Sequence, residues 1–289
     1  MNAVATPKLA RPAASLSLLG TTFQNPVLLA SGTAGFGREV ARVIDLEALG
    51  GIVTKAVTPE PRAGWPAPRL VEFRGGMLNA VGLANPGLEA VRREALPWLA
   101  GLSRARVIVN VAGATLDDYA AVLEGLRGAA VTAFEINASC PNTNAGGLEF
   151  GSDPESLAAL VRRCRRATDT PLVVKLSPVL PDIAAMGAVA EGEGADAVSV
   201  VNTIPGLLPD GLGHGNGGVS GPALLPIGVL AVRRLVERVA VPVIGVGGIR
   251  NVTDARAYLG AGASLIAVGT AALADPRVPE RIARALAHD

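Results

Sequence analysis

Along the chain, short runs that are apolar at almost every position alternate with longer segments whose apolar residues return every three or four positions. The first kind reads as strands buried on both faces. They are "PVLLASG" from Pro26, "GIVTKAV" from Gly51, "VIVNVAG" from Val107, "AFEINAS" from Ala133, "PLVVKLS" from Pro171, "AVSVVNT" from Ala197, "PVIGVGG" from Pro242 and "LIAVGTA" from Leu265. The second kind reads as amphipathic helices over Arg38–Leu49, Leu88–Leu99, Asp117–Arg127, Glu155–Ala167, Ile183–Glu193, Leu224–Val239 and Thr253–Leu259. Asp153-Pro154 and Asn251 with Thr253 supply start signals for two of them. Strands alternating with helices predict βαβ units, and eight of them predict an α/β fold of the (β/α)8 TIM-barrel type. The 289 residues suit one such barrel, expected as a single domain over 1–289. Ahead of it, "SLSLLG" and "TTFQNPV" predict an N-terminal hairpin that caps the barrel floor. The connection from Thr58 to Arg106 is long for a barrel. It carries an insertion after strand 2, "GGMLNAVGLANPG", expected to act as a lid-like loop.

Composition narrows the classes of function. No apolar run approaches the ~20 residues needed to cross a bilayer, and the first twenty residues contain no continuous apolar stretch of the secretory kind. A reducing cytoplasm is the expected location, with no membrane attachment. Two cysteines and two histidines are too few for a disulfide framework or a zinc site, so no metal is expected. Net charge is +1, and the basic run "RRCRR" fits one solvated helical turn better than a nucleic-acid surface.

The candidate chemistry sits where barrel enzymes place it, at the C-terminal ends of the strands. In order, those ends give Ser31, Lys55, Asn110, Asn137 with Cys140, Lys175, Asn202-Thr203, Gly247-Gly248 and Gly269-Thr270. Of 26 Lys and Arg residues only three are lysine, and two of these, Lys55 and Lys175, lie in apolar strand patterns. An ammonium there is costly unless paired. One of them could form a Schiff base, as in an aldolase. Two cations beside three asparagines instead favour an anionic ligand with a planar, imide-like ring. "GVGGI" and "VGTA" close the last two strands, and "SGPA" opens the helix before them. Together they predict a phosphate site of backbone N–H groups. The G-x-G-x-x-G spacing of a dinucleotide site is missing. Cys164, in the "RRCRR" helix, reads as structural. For Cys140 the residues leave two readings open, a buried bystander or an acid/base. A Cys–His pair with His214 is disfavoured, because the glycine-rich "GLGHGNGG" would hold a base poorly.

"NASCPNTNAGGLEFG" resembles the N-x-S-C-P-N…GG…FG motif of class 1 dihydroorotate dehydrogenases. "ASGTAGFG", "TKAVTPEPRAGWPAPR", "MLNAVGLANPG", "VKLSP", "VNT", "GGVSGPA", "GVGGI" and "AVGTA" match the same family in the same order, from about Phe23 to Ala274. The GG…FG continuation is most similar to the catalytic subunit of the NAD-linked, heteromeric type B subgroup. The resemblance implies FMN and the oxidation of dihydroorotate to orotate in pyrimidine synthesis, with Cys140 as the base. It implies FMN contacts from Ser31, Lys55, Ala56, Asn110, Asn137, Lys175, Val201, Gly221, Gly247, Gly248, Gly269 and Thr270. It implies substrate contacts from Lys55, Asn79, Ala80, Val81, Gly82, Leu83, Asn137, Asn202 and Thr203. The chain has too few cysteines for an iron–sulfur cluster, so an NAD-linked enzyme needs a second subunit carrying FAD and a 2Fe-2S cluster. A homodimer, or a heterotetramer with that subunit, is expected. Two features depart from the subgroup: the loop "IPGLLPDGLGHGNGG" is shorter, and the C-terminus stops soon after "RALAHD". A dihydropyrimidine dehydrogenase acting on uracil or thymine is the nearest alternative.

Overall fold

The structure is a computed structural model and describes residues 15–139, 141–142, 148–208, 212 and 215–287. β1 (Leu16–Leu18) and β2 (Thr21–Phe23) form an antiparallel hairpin with Leu16 opposite Phe23. β3 (Val27–Leu29) and β4 (Gly51–Val53) follow, then an excursion built from β5 (Leu70–Phe73) and β6 (Gly76–Asn79). Helix α1 (Leu88–Ala90) runs through a π-helical turn at Val91–Ala95 into α2 (Leu96–Leu99). Next come β7 (Arg106–Val111), α3 (Leu116–Gly125), β8 (Ala133–Asn137) and a short ribbon of β9 (Pro141–Asn142) and β10 (Leu148–Glu149). α4 (Pro154–Ala167), β11 (Leu172–Leu176), α5 (Ile183–Gly192) and β12 (Ala197–Val200) lead to a second excursion, β13 (Ile204–Leu207) and β14 (Asn216–Ser220). The chain ends with α6 (Leu225–Val236), β15 (Val243–Val246), α7 (Val252–Gly260), β16 (Leu265–Val268), α8 (Thr270–Ala274) and α9 (Val278–Ala287).

β3, β4, β7, β8, β11, β12, β15 and β16 pair in parallel and close, β16 against β3, into an eight-stranded barrel. These are the eight apolar runs of the sequence. Alternation along each strand sorts the side chains into two cores. Leu28, Val53, Ile108, Ala133, Val173, Ala197, Ile244 and Leu265 fill the interior, and the β1–β2 hairpin stoppers it with Phe23, Leu16 and Leu18. Val109, Phe134, Ile136, Val174 and Val198 point outward into the helical ring. The expected helix starts are present: Asp153 accepts from the Glu155 and Ser156 amides, and Asn251 from the Asp254 amide.

One expectation needs correction. Arg38–Leu49 is not one helix but two 3-10 turns, Val40–Arg42 and Leu46–Ala48. Asp45 between them is extended, and its carboxylate accepts from the Glu47 amide, so a capping side chain restarts the run midway. The expected insertion after strand 2 is present, and part of it is sheet. β5 and β6 join β13 and β14 in a four-stranded antiparallel sheet of order β13-β14-β6-β5 at the C-terminal mouth of the barrel.

Candidate active site

Above its apolar layers the barrel interior turns polar. Asn110, Glu135, Lys175 and Ser199 are all buried and come from adjacent strands β7, β8, β11 and β12. Over them lies a cavity of about 380 Å³, within the range of roughly 300–1,000 Å³ of small-molecule sites. The four-stranded sheet lies along one side of it, contributing Leu70, Met77, Asn79 and Ser220.

Ser31, Lys55, Ala56, Asn110, Asn137, Lys175, Val201, Gly221, Gly247, Gly248, Gly269 and Thr270 all line this cavity. So do Asn79, Ala80, Val81, Gly82, Leu83, Asn202 and Thr203. Residues from all eight strand ends and from both excursions thus meet in one space. Cys140 and His214 lie outside the described residues, and no metal-binding cluster occurs among those described.

The polar groups are held by specific contacts. Asn202 Nδ2 donates to Asn137 Oδ1 at 3.2 Å, and Asn202 Oδ1 accepts from the Thr203 amide. The Asn137 carbonyl accepts from the Tyr119 hydroxyl at 2.7 Å, and Phe150 packs edge-on to the Tyr119 ring. The phenylalanine of "LEFG" therefore braces the strand end from outside the barrel. Asn79 Nδ2 donates to the Gly218 carbonyl across the sheet, and Thr270 Oγ1 donates to Ser220 Oγ at 2.8 Å. Burial, helped by the charge of Arg69, lowers the pKa of the Lys55 ammonium below the usual lysine value.

The "GVGG" turn is built for close approach. Gly248 has φ +74°, and a Cβ there would lie 2.5 Å from the Leu225 amide nitrogen. Tyr258 fastens the turn from behind, its hydroxyl within reach of the Val246 carbonyl (2.9 Å) and the Gly247 carbonyl (2.7 Å). Gly228 makes room for it, since a Cβ there would fall 1.8 Å from the hydroxyl. Burial, then the nearby Asp254 carboxylate, raises the phenol pKa, so the group remains a donor. Tyr258→Phe is expected to keep the packing but cost about 1–2 kcal/mol, the usual price of orphaning buried carbonyls. A urea unfolding midpoint equal to wild type would remove this role.

Sequence reasoning missed Glu135. Its signal was present: a carboxylate inside the apolar run "AFEIN" is as anomalous as an ammonium inside "VVKLS". Asn110 Nδ2 donates to Glu135 Oε1 at 2.6 Å, Ser199 Oγ donates to Oε2 at 3.0 Å, and Lys175 Nζ lies 3.8 Å from Oε1.

Polar chemistry gathered at the C-terminal ends of closed parallel strands is the mark of a (β/α)8-barrel enzyme, and the fold and cavity assign the chain to that class. Within it, the chain belongs to the dihydroorotate dehydrogenase family, a family of flavin-dependent oxidoreductases. The family model described as dihydroorotate dehydrogenase matches residues 13–289. Its relatives include proteins named dihydroorotate dehydrogenase B (NAD(+)), catalytic subunit. That of Desulforudis audaxviator is 46% identical over 93% of this chain and 90% of its own. The one from Geobacillus kaustophilus is 45% identical, over 91% and 86%. The one from Trichlorobacter lovleyi is 43% identical, over 96% and 93%.

Proposed function

We propose that this single barrel binds FMN and oxidises dihydroorotate to orotate, as the catalytic subunit of an NAD-linked assembly. The observation that carries the reading is the convergence of Lys55, Lys175, Asn110, Asn137 and Asn202 with the glycine turns on one cavity. The site suits a flavin. Asn110 Oδ1 is buried without a hydrogen-bond partner, an acceptor matched to an imide N–H. Gly247 and Gly248, both at positive φ, and Thr270 offer unobstructed backbone and a hydroxyl for a phosphate.

Held by Ser31, Asn110, Lys175 and the Gly247–Gly248 and Gly269–Thr270 turns, FMN would supply the acceptor for the hydride that leaves C6 of the dihydropyrimidine ring. Cys140 takes the C5 proton, and the pair left by the C5–H bond becomes the ring double bond. The proton is then released to solvent, so that dihydroorotate and NAD⁺ yield orotate, NADH and a proton. Lys55 draws in the substrate carboxylate, while Asn79, Asn137, Asn202 and Thr203 fix the ring amides in line for transfer. Lys175 places positive charge against the flavin. The relatives' names, "catalytic subunit" of an NAD-linked enzyme, support a second subunit; FAD and a 2Fe-2S cluster are assigned to it because this chain has too few cysteines to hold a cluster.

The visible spectrum of the purified chain tests this. A flavin band should be present, should bleach on anaerobic addition of dihydroorotate, and should not respond to dihydrouracil. NAD⁺ alone should re-oxidise the isolated chain only slowly. A colourless chain, or a band indifferent to dihydroorotate, would end the reading.

A further inference from the structure

Glu135 lies one layer beneath the cavity and does not line it. Its side chain is 3% exposed and that of Lys175 is 9% exposed. In the barrel register Asn110 stands opposite Glu135, and Lys175 stands between Asn137 and Ser199. The carboxylate thus sits below the point where β7, β8, β11 and β12 present their polar ends. A buried carboxylate is expensive unless every lone pair is used. Here each of its polar neighbours, the Asn110 amide, the Ser199 hydroxyl and the Lys175 ammonium, is a donor.

Two consequences reach the cavity. First, an ionised carboxylate only accepts, so Asn110 must turn Nδ2 downward. That leaves its buried Oδ1, which has no hydrogen-bond partner, as the atom offered to a ligand. Secondly, the ammonium of Lys175 acts in two directions. Its charge is partly offset from below by the carboxylate 3.8 Å away before it acts on anything above.

We propose that Glu135 is a positioning residue for the bound flavin, acting through Asn110 and Lys175. It fixes the Asn110 amide as an acceptor and sets how much positive charge the flavin feels. The inference rests on the flavin reading given under Proposed function. It adds a residue that touches neither flavin nor substrate.

Sulfite binding to the holoenzyme tests it, because sulfite adds negative charge to a flavin and its affinity reports the positive charge nearby. Glu135→Gln keeps the shape and removes the charge. It should retain flavin and bind sulfite more tightly, on the order of tenfold. Glu135→Asp keeps the charge and should stay within about twofold of wild type. Equal sulfite affinity in wild type and Glu135→Gln, or an equal rise in both variants, would overturn the proposal. If Glu135→Gln does not accumulate as a flavoprotein, wild-type holoenzyme labelled with ¹³C-glutamate decides. Chemical reduction of the flavin should then shift a label-sensitive carboxylate band in the infrared difference spectrum, and a spectrum without one would overturn the proposal. A wild-type chain that carries no flavin would instead strike at the functional reading beneath it.

Discussion

Cys140→Ser is expected to keep the flavin spectrum and to slow its bleaching by dihydroorotate by about 10²–10⁴ at neutral pH, the usual contribution of a general base. A thiol has a reference pKa of about 8.5, so a useful fraction can be deprotonated near neutrality. A hydroxyl holds its proton far more tightly. The rate in the wild-type chain should therefore rise with pH as the thiolate fraction grows, and the serine variant should recover activity only at higher pH. The other thiol cannot take over. Cys164 is buried on α4, and its pKa is pushed up to about 12 by burial against the smaller opposing pull of Arg163 and Arg165. Stopped-flow bleaching of the two proteins across a pH series decides the matter. Equal rates would remove Cys140 from the reaction.

Lys55→Met should weaken orotate binding roughly 10- to 100-fold, the loss expected for a charge-assisted contact. Its pH dependence carries a sign that can be worked out. The folded Lys55 has a pKa below the ordinary lysine value of 10.5, chiefly through burial and then through Arg69. Raising the pH through that lowered value removes the charge that attracts the carboxylate. Wild-type affinity for orotate should therefore fall at a pH below 10.5, while the methionine variant, already weak, stays flat there. Stability of the ligand-free chain responds oppositely. Between the lowered value and 10.5 the unfolded chain binds more protons than the folded one, so the contribution of Lys55 to stability rises with pH across that window. Calorimetric titration with orotate from neutral to alkaline pH checks the first effect, and unfolding midpoints over the same range check the second. Flat wild-type affinity across the range would exclude Lys55 as the carboxylate anchor.

The barrel was legible because its strands are local and repetitive. Each is a short apolar run ending in a polar or glycine residue, and the parallel order follows from the helices between them. The cavity-lining positions were legible for a related reason: in a closed barrel the end of every strand faces the same mouth. The lysines stood out by scarcity, and the motif resemblance supplied the roles that spacing alone left open for Cys140. Glu135 was harder to read because it lies two residues inside a strand rather than at its polar end. The Arg38–Leu49 segment has helical periodicity, but Asp45 diverts the backbone, a side-chain-to-main-chain choice that periodicity does not register. The pairing of β6 with β14 was invisible for a different reason. Gly218 stands opposite Asn79, 139 residues apart in sequence, and no local pattern encodes such a distant ladder.

That ladder ties together two segments that a reader of the chain would treat as independent. A graft that moved either hairpin alone from a relative into this chain would strip its neighbour of a hydrogen-bonding edge, so the two must travel as a pair. A substitution that shifts one hairpin should accordingly displace the other.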